Sequence, residues 1–203
     1  MSVSTEILAE PDEKFRLWPN RNQFGMLAFL ISLTVFFGSL IFAYWFILRD
    51  RLTLQHLSVP GALRWSTVIL GVSGFTLGWA RWSIRRARLL EYRALTLVTG
   101  LLGVGFLVSQ GLAALDLERQ GLYLIGNPHG SMFYAFAGFH ALHLFGGLAA
   151  LGFLIWNAGR LRDGEETPMR RHRSQAEMVA YYWNFVIVSW VVLYVLLLAW
   201  TDR

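Results

Sequence analysis

From Ser131 to Trp156 the chain runs for 26 residues without an Asp, Glu, Lys or Arg. A helix of that length, at about 1.5 Å per residue, outreaches the roughly 30 Å hydrocarbon core of a bilayer. Two histidines, His140 and His143, lie inside the run. Three residues apart, they share one side of a helix, and an ionisable group at that depth is costly unless it turns toward protein or water. The segment reads as a membrane-spanning helix whose histidine side faces inward. Tyr134 flanks the pair, and Gly138, Gly146 and Gly147, with Ala137 and Ala141, leave room for another helix backbone to approach.

The rest of the chain agrees with a lipid setting. Charged residues make up 15% of it, against about 25% in a soluble domain. The net charge of +5 comes from arginines between apolar runs, so anionic headgroups account for it without a nucleic-acid partner. The chain has no cysteine, which excludes disulfides, thiolate metal sites and iron–sulfur clusters.

Five continuous apolar spans are expected, at about 24–48, 63–84, 94–115, 131–157 and 178–200. Continuous runs indicate helices, since barrel strands alternate. The fold class is therefore all-α, an integral bundle of five transmembrane helices in one domain (24–203) behind a tail (1–23). That tail mixes Glu6, Glu10, Asp12 and Glu13 with Lys14, Arg16 and Arg21, unlike a signal or transit peptide. A bacterial cytoplasmic (inner) membrane protein fits best. Thirteen of the 18 basic residues fall in the tail and the second and fourth connections, which predicts a cytoplasmic N-terminus and a periplasmic C-terminus.

Tryptophans follow the same slicing. Trp45, Trp65, Trp79, Trp82, Trp156, Trp183 and Trp200 fall near span ends, where an amphipathic ring is at ease, and Trp190 lies mid-span. Gly74 and Gly78 in the second span, and Gly105, Ser109 and Ala113 in the third, repeat every four residues, as close helix packing requires.

No acidic residue lies centrally in any span, which argues against a free-standing proton-coupled transporter. His56, His129 and His172 fall in expected loops, leaving His140 and His143 as the intramembrane candidates. A pair on one helix side leaves a haem's second axial position empty and under-coordinates a metal. Neutral imidazoles hydrogen-bonded to other helices or lipid are the simpler reading. Gln110, Thr34, Tyr181, Tyr182 and Asn184 are polar residues that such a cluster could recruit. Neither a nucleophile elbow nor a phosphate loop nor H-E-x-x-H is present, so no catalytic, cofactor or metal site is expected in this chain.

The run F-Y-x-x-x-G-x-H-x-x-H-x-x-G-G, here Phe133, Tyr134, Gly138, His140, His143, Gly146 and Gly147, resembles the fourth helix of the five-helix form of subunit III of haem–copper oxidases. Val35–Arg49, Pro60 with Trp65–Gly74, Gln110, and Tyr182, Trp183, Phe185, Val186, Trp190 and Tyr194 are similar to further family segments, in the same order. Two departures stand out: Thr34 where many members carry a buried glutamate, and Asn184 to Ile187 where the family has His-Phe-Val-Asp. The resemblance implies a cofactor-free subunit that stabilises catalytic subunit I and contacts other oxidase subunits and bound phospholipid, with haem and copper in the partner. Thr34, Gln110, Tyr134, His140, His143, Trp183 and Asn184 would form polar, lipid or subunit contacts, and Gly74, Gly78, Gly105, Gly138, Gly146 and Gly147 would pack helices. Other readings are an accessory subunit of a nitric oxide reductase or a divergent respiratory supercomplex, a haem-binding electron carrier, and a stand-alone transporter.

Overall fold

The computed structural model describes residues 21–48, 61–121, 128–160 and 166–201. They form five helices: α1 (Arg21–Leu48), α2 (Gly61–Arg85), α3 (Leu89–Arg119), α4 (Pro128–Ala158) and α5 (Glu166–Thr201). No strand occurs among the described residues. α2, α3, α4 and α5 pack in a closed ring, α2 most tightly on α3, while α1 lies outside it against α4 and α5.

Several helices outrun their apolar runs, because a helix continues past the hydrocarbon boundary wherever its residues allow. α5 begins at Glu166, so His172 is not in a loop as expected but buried in the helix's early turns. α4 begins at Pro128, a favoured first helical position for proline, and takes in His129 as well. His56 and the tail lie outside the described residues.

α1, α3, α4 and α5 are long and apolar enough to cross a membrane, but α2 does not reach that hydropathy. Arg64, Arg81 and Arg85 lower it, and so do hydroxyls on its inner side. Ser66 and Ser73 are buried there together with Leu63, Leu70 and Leu77, while Trp65, Val68, Val72, Phe75 and Trp79 are exposed. The two serines, seven residues apart, fall on one side of the helix. Each donates to its own helix, Ser66 to Leu63 O at 2.9 Å and Ser73 to Leu70 O at 2.6 Å. Each also accepts from a neighbour, Ser66 from Gln110 Nε2 on α3 and Ser73 from Trp183 Nε1 on α5. α2 thus sets a stripe of serines among leucines toward the bundle and large apolar side chains outward.

At the end where α2 turns into α3 the ring is stitched by polar side chains. Arg173 of α5 donates to Ile84 O near the α2 terminus at 3.1 Å, and Arg93 of α3 donates to Ala158 O at the α4 terminus. Both put a cation on the negative end of another helix. Between them the buried rings of Tyr92 and His172 share a 3.1 Å hydrogen bond, and Arg85 pairs with Glu177 at 2.7 Å.

Candidate functional site

The centre of the ring is occupied by Trp183 of α5, which is fully buried. Its sequence position near a span end suggested an interfacial ring. The structure corrects this, because distance along a helix does not report which side a residue faces. The indole fits because α3 and α4 offer glycine where it passes. A Cβ at Gly103 would lie 2.8 Å from Trp183 Cη2, and one at Gly147 would lie 3.0 Å from Cε3. Its Nε1 donates to Ser73 Oγ at 3.0 Å.

About two turns further along α5, Trp190 is also buried and donates to Thr67 Oγ1 of α2 at 3.1 Å. His140 reaches this layer from α4. It is 1% exposed, set edge-on to Phe106 of α3 with ring centres 5.8 Å apart, and 5.2 Å from Trp190. Its Nδ1 stands 3.5 Å from Ser189 Oγ, a long contact, and its Nε2 is buried without a partner.

His143 takes a different course. Its Nδ1 donates to Phe139 O one turn back at 2.6 Å, and its ring lies 5.2 Å from that of Phe37 on α1. Tyr182 OH donates to the His143 backbone carbonyl at 2.8 Å. The two imidazoles thus meet different neighbours, α3 and α5 for one and α1 for the other.

The remaining polar candidates also distribute among separate interfaces. Gln110 donates to Ser66 at 2.8 Å, one turn along α3 from the Phe106 that His140 faces, and bonds neither histidine. Tyr134 OH donates to Ala114 O at 3.2 Å. Thr34 is exposed and donates to Leu30 O of its own helix at 2.8 Å. Asn184 is exposed and makes no hydrogen bond among the described residues. The structure joins Trp183 to the centre of the ring and His140 to the layer beside it, and leaves the others apart.

Of the glycines singled out for packing, Gly74 meets Ile187 Cδ1, 2.7 Å from where a Cβ would stand. Gly147 meets Trp183, and Gly146 meets Tyr182 OH at 3.4 Å. A Cβ at Gly78, Gly105 or Gly138 would touch nothing within 4 Å. Gly103, Ser73, Phe106 and the Tyr92–His172 pair were missed from sequence. The seven-residue spacing of Ser66 and Ser73 was the available signal, a polar stripe on an otherwise membrane-like helix.

Chemically, this is an arrangement that holds helices together. Among the described residues no three His, Cys, Asp or Glu side chains come together as a metal site would need. His140, in the layer beside Trp183, is enclosed by aromatic rings and a serine.

Comparison with known proteins bears on this bundle as a whole. The family model described as cytochrome c oxidase subunit III matches residues 19–202. A relative from Nocardia farcinica, named "Probable cytochrome c oxidase subunit 3", is 30% identical over 181 residues, covering 87% of this chain and 86% of its own. Cytochrome c oxidase subunit 3 of Corynebacterium diphtheriae is 33% identical over 185 residues, 87% of each chain. That of Thermostichus vulcanus is 32% identical over 186 residues, 88% of this chain and 87% of its own. With a family match that runs through all five helices, the chain belongs to the cytochrome c oxidase subunit III family.

Proposed function

We propose that this chain is a non-catalytic, cofactor-free integral subunit of a haem–copper oxidase, packed against catalytic subunit I in a bacterial cytoplasmic membrane. Membership of the subunit III family is the observation that carries the reading. The interior supports it, since polar groups there bond helix to helix, as Trp183 does to Ser73 and Gln110 to Ser66. In this reading residues 24–203 are one membrane domain with five spans, α2 included. A 25-residue helix covers about 38 Å, and its polar side is sheltered by α3 and α5. The N-terminal tail is then cytoplasmic and the stitched, arginine-rich end lies on the same side.

Phospholipid binding belongs to the same proposal. A groove of about 310 Å³ between α1 and the α4–α5 pair is lined by Met26, Phe29, Gly146, Ala150, Met178 and Tyr182. An apolar groove open to the bilayer suits an acyl chain.

Deleting the gene and purifying the oxidase tests the reading. The expected result is a complex that starts with nearly normal activity but loses it within fewer turnovers, with less bound phospholipid. Unchanged assembly, lifetime and lipid content would refute it.

A further inference from the structure

Asn184 opens outward at a depth where lipid has nothing to offer it. Its Oδ1 lies 4.0 Å from where a Cβ on Gly74 would stand, and Gly74 is near the middle of α2. Its carboxamide is exposed and unpartnered among the described residues. Polar side chains within the bilayer ordinarily face protein, because hydrocarbon returns no hydrogen bond.

Its surroundings on the α2–α5 seam are open in the same direction. Helical spacing puts Gly71, Gly74, Gly78 and Arg81 in one narrow stripe of α2. Gly74 and Arg81 touch α5, the first at Ile187 and the second over the Tyr181 ring at 5.4 Å. Gly71 and Gly78 are exposed, with nothing within 4 Å of a Cβ on either. Arg81 Nε is buried without a hydrogen-bond partner, and the neighbouring acid, Glu177, is bound to Arg85.

We infer that the outer α2–α5 seam receives a membrane-spanning helix of another oxidase subunit. That helix brings a hydrogen-bonding group to the level of Asn184 and a carboxylate to Arg81. The inference rests on the subunit reading given above. The amide decides the occupant: at mid-depth it calls for a side chain or backbone group that an acyl tail lacks, and Arg81, which is in no ion pair among the described residues, can take an anion from the same partner. The open glycines let a helix backbone come close enough to supply both.

The test uses the whole oxidase, recovered through a tag on its catalytic subunit. Gly78→Leu adds bulk where this chain has only open space, so the chain still folds and accumulates in the membrane. Its recovery with the complex is expected to fall about tenfold, as overpacking an interface does. Asn184→Leu is expected to lower recovery about threefold, the usual weight of one interhelical hydrogen bond in a membrane. Val104→Leu on the exposed side of α3 leaves recovery unchanged. A photoreactive residue at position 78 is expected to form an adduct with another oxidase subunit. Undiminished recovery of both seam variants overturns the inference, as does an adduct at twice this chain's mass, which would make the seam a contact between two copies. Full recovery of the wild-type chain with lipid adducts alone also overturns it, while leaving the subunit reading intact. Failure of the wild-type chain to co-purify removes both.

Discussion

The indole of Trp183 touches three other helices at once: α2 through Ser73, α3 at Gly103 and α4 at Gly147. Because the ring is held on two sides, it cannot move away from a methyl group. Gly103→Ala should therefore destabilise the protein by about 1–2 kcal/mol, after the roughly 1 kcal/mol that alanine adds to helix propensity. Gly105→Ala, two residues on, meets open space and should stabilise by up to about 1 kcal/mol. Thermal unfolding of the detergent-purified protein separates the two, and adding Trp183→Phe to Gly103→Ala should recover part of the loss. His140 gives the opposite expectation from its prominence in the sequence. Its one polar contact is 3.5 Å long and its Nε2 is an unsatisfied buried atom, so little stabilisation depends on its nitrogens. His140→Phe should keep stability within about 1 kcal/mol, since removing an unsatisfied group offsets the misfit of a slightly larger ring. A loss of several kcal/mol in the same melt would show that the imidazole has a hydrogen-bond partner in the membrane.

Between α2 and α3 the chain reverses in three residues. Arg88 N–H reaches Ser83 O at 3.0 Å and Ala87 N–H reaches Ile84 O at 3.1 Å, the paired bonds of a Schellman cap. The position that glycine usually fills there is held by Ala87 at φ 58°. Ala87→Gly should accordingly stabilise the protein by about 0.5–1 kcal/mol, seen as a higher midpoint in the same melt. Arg173→Met removes the cation from the α2 terminus and should cost about 1–2 kcal/mol, through a lost charged hydrogen bond and an uncapped carbonyl. These elements also show what the sequence could and could not tell. Apolar runs located the helices because membrane insertion depends on composition summed along a segment. They missed the starts of α4 and α5 because a helix in water needs no apolar run. They did not reveal that Trp183 faces inward or that His140 and His143 part company, because rotation about a helix axis is set by neighbours far away in the chain. α2 was found despite its serines and threonines, yet the use of those hydroxyls became plain only once Gln110 and Trp183 were seen to bond to them.

Across the whole molecule the polar stitches gather at one end and the aromatic layers fill the middle. The stitched end joins the last turns of α2 and α4 to the first turns of α3 and α5 through Arg93, Arg173, Tyr92, His172 and the Arg85–Glu177 pair. Arginines therefore serve twice there, capping helix ends inside the bundle and, in the proposed orientation, holding that pole on the cytoplasmic side. α1 stands apart from this scheme. Its rings meet the ring of helices edge-on or stacked, as Phe36 does Phe139 and Phe29 does Tyr182. The orientation is open to direct measurement, because the chain has no native cysteine to remove. Arg160 beyond the α4 terminus and Glu118 near the α3 terminus are both exposed and sit at opposite ends of the bundle. In right-side-out membrane vesicles, a membrane-impermeant maleimide should label Glu118→Cys at once and Arg160→Cys only after the vesicles are opened. The reverse order would place the arginine-rich pole outside, and the charge asymmetry would then have to be explained by the partner subunits rather than by insertion.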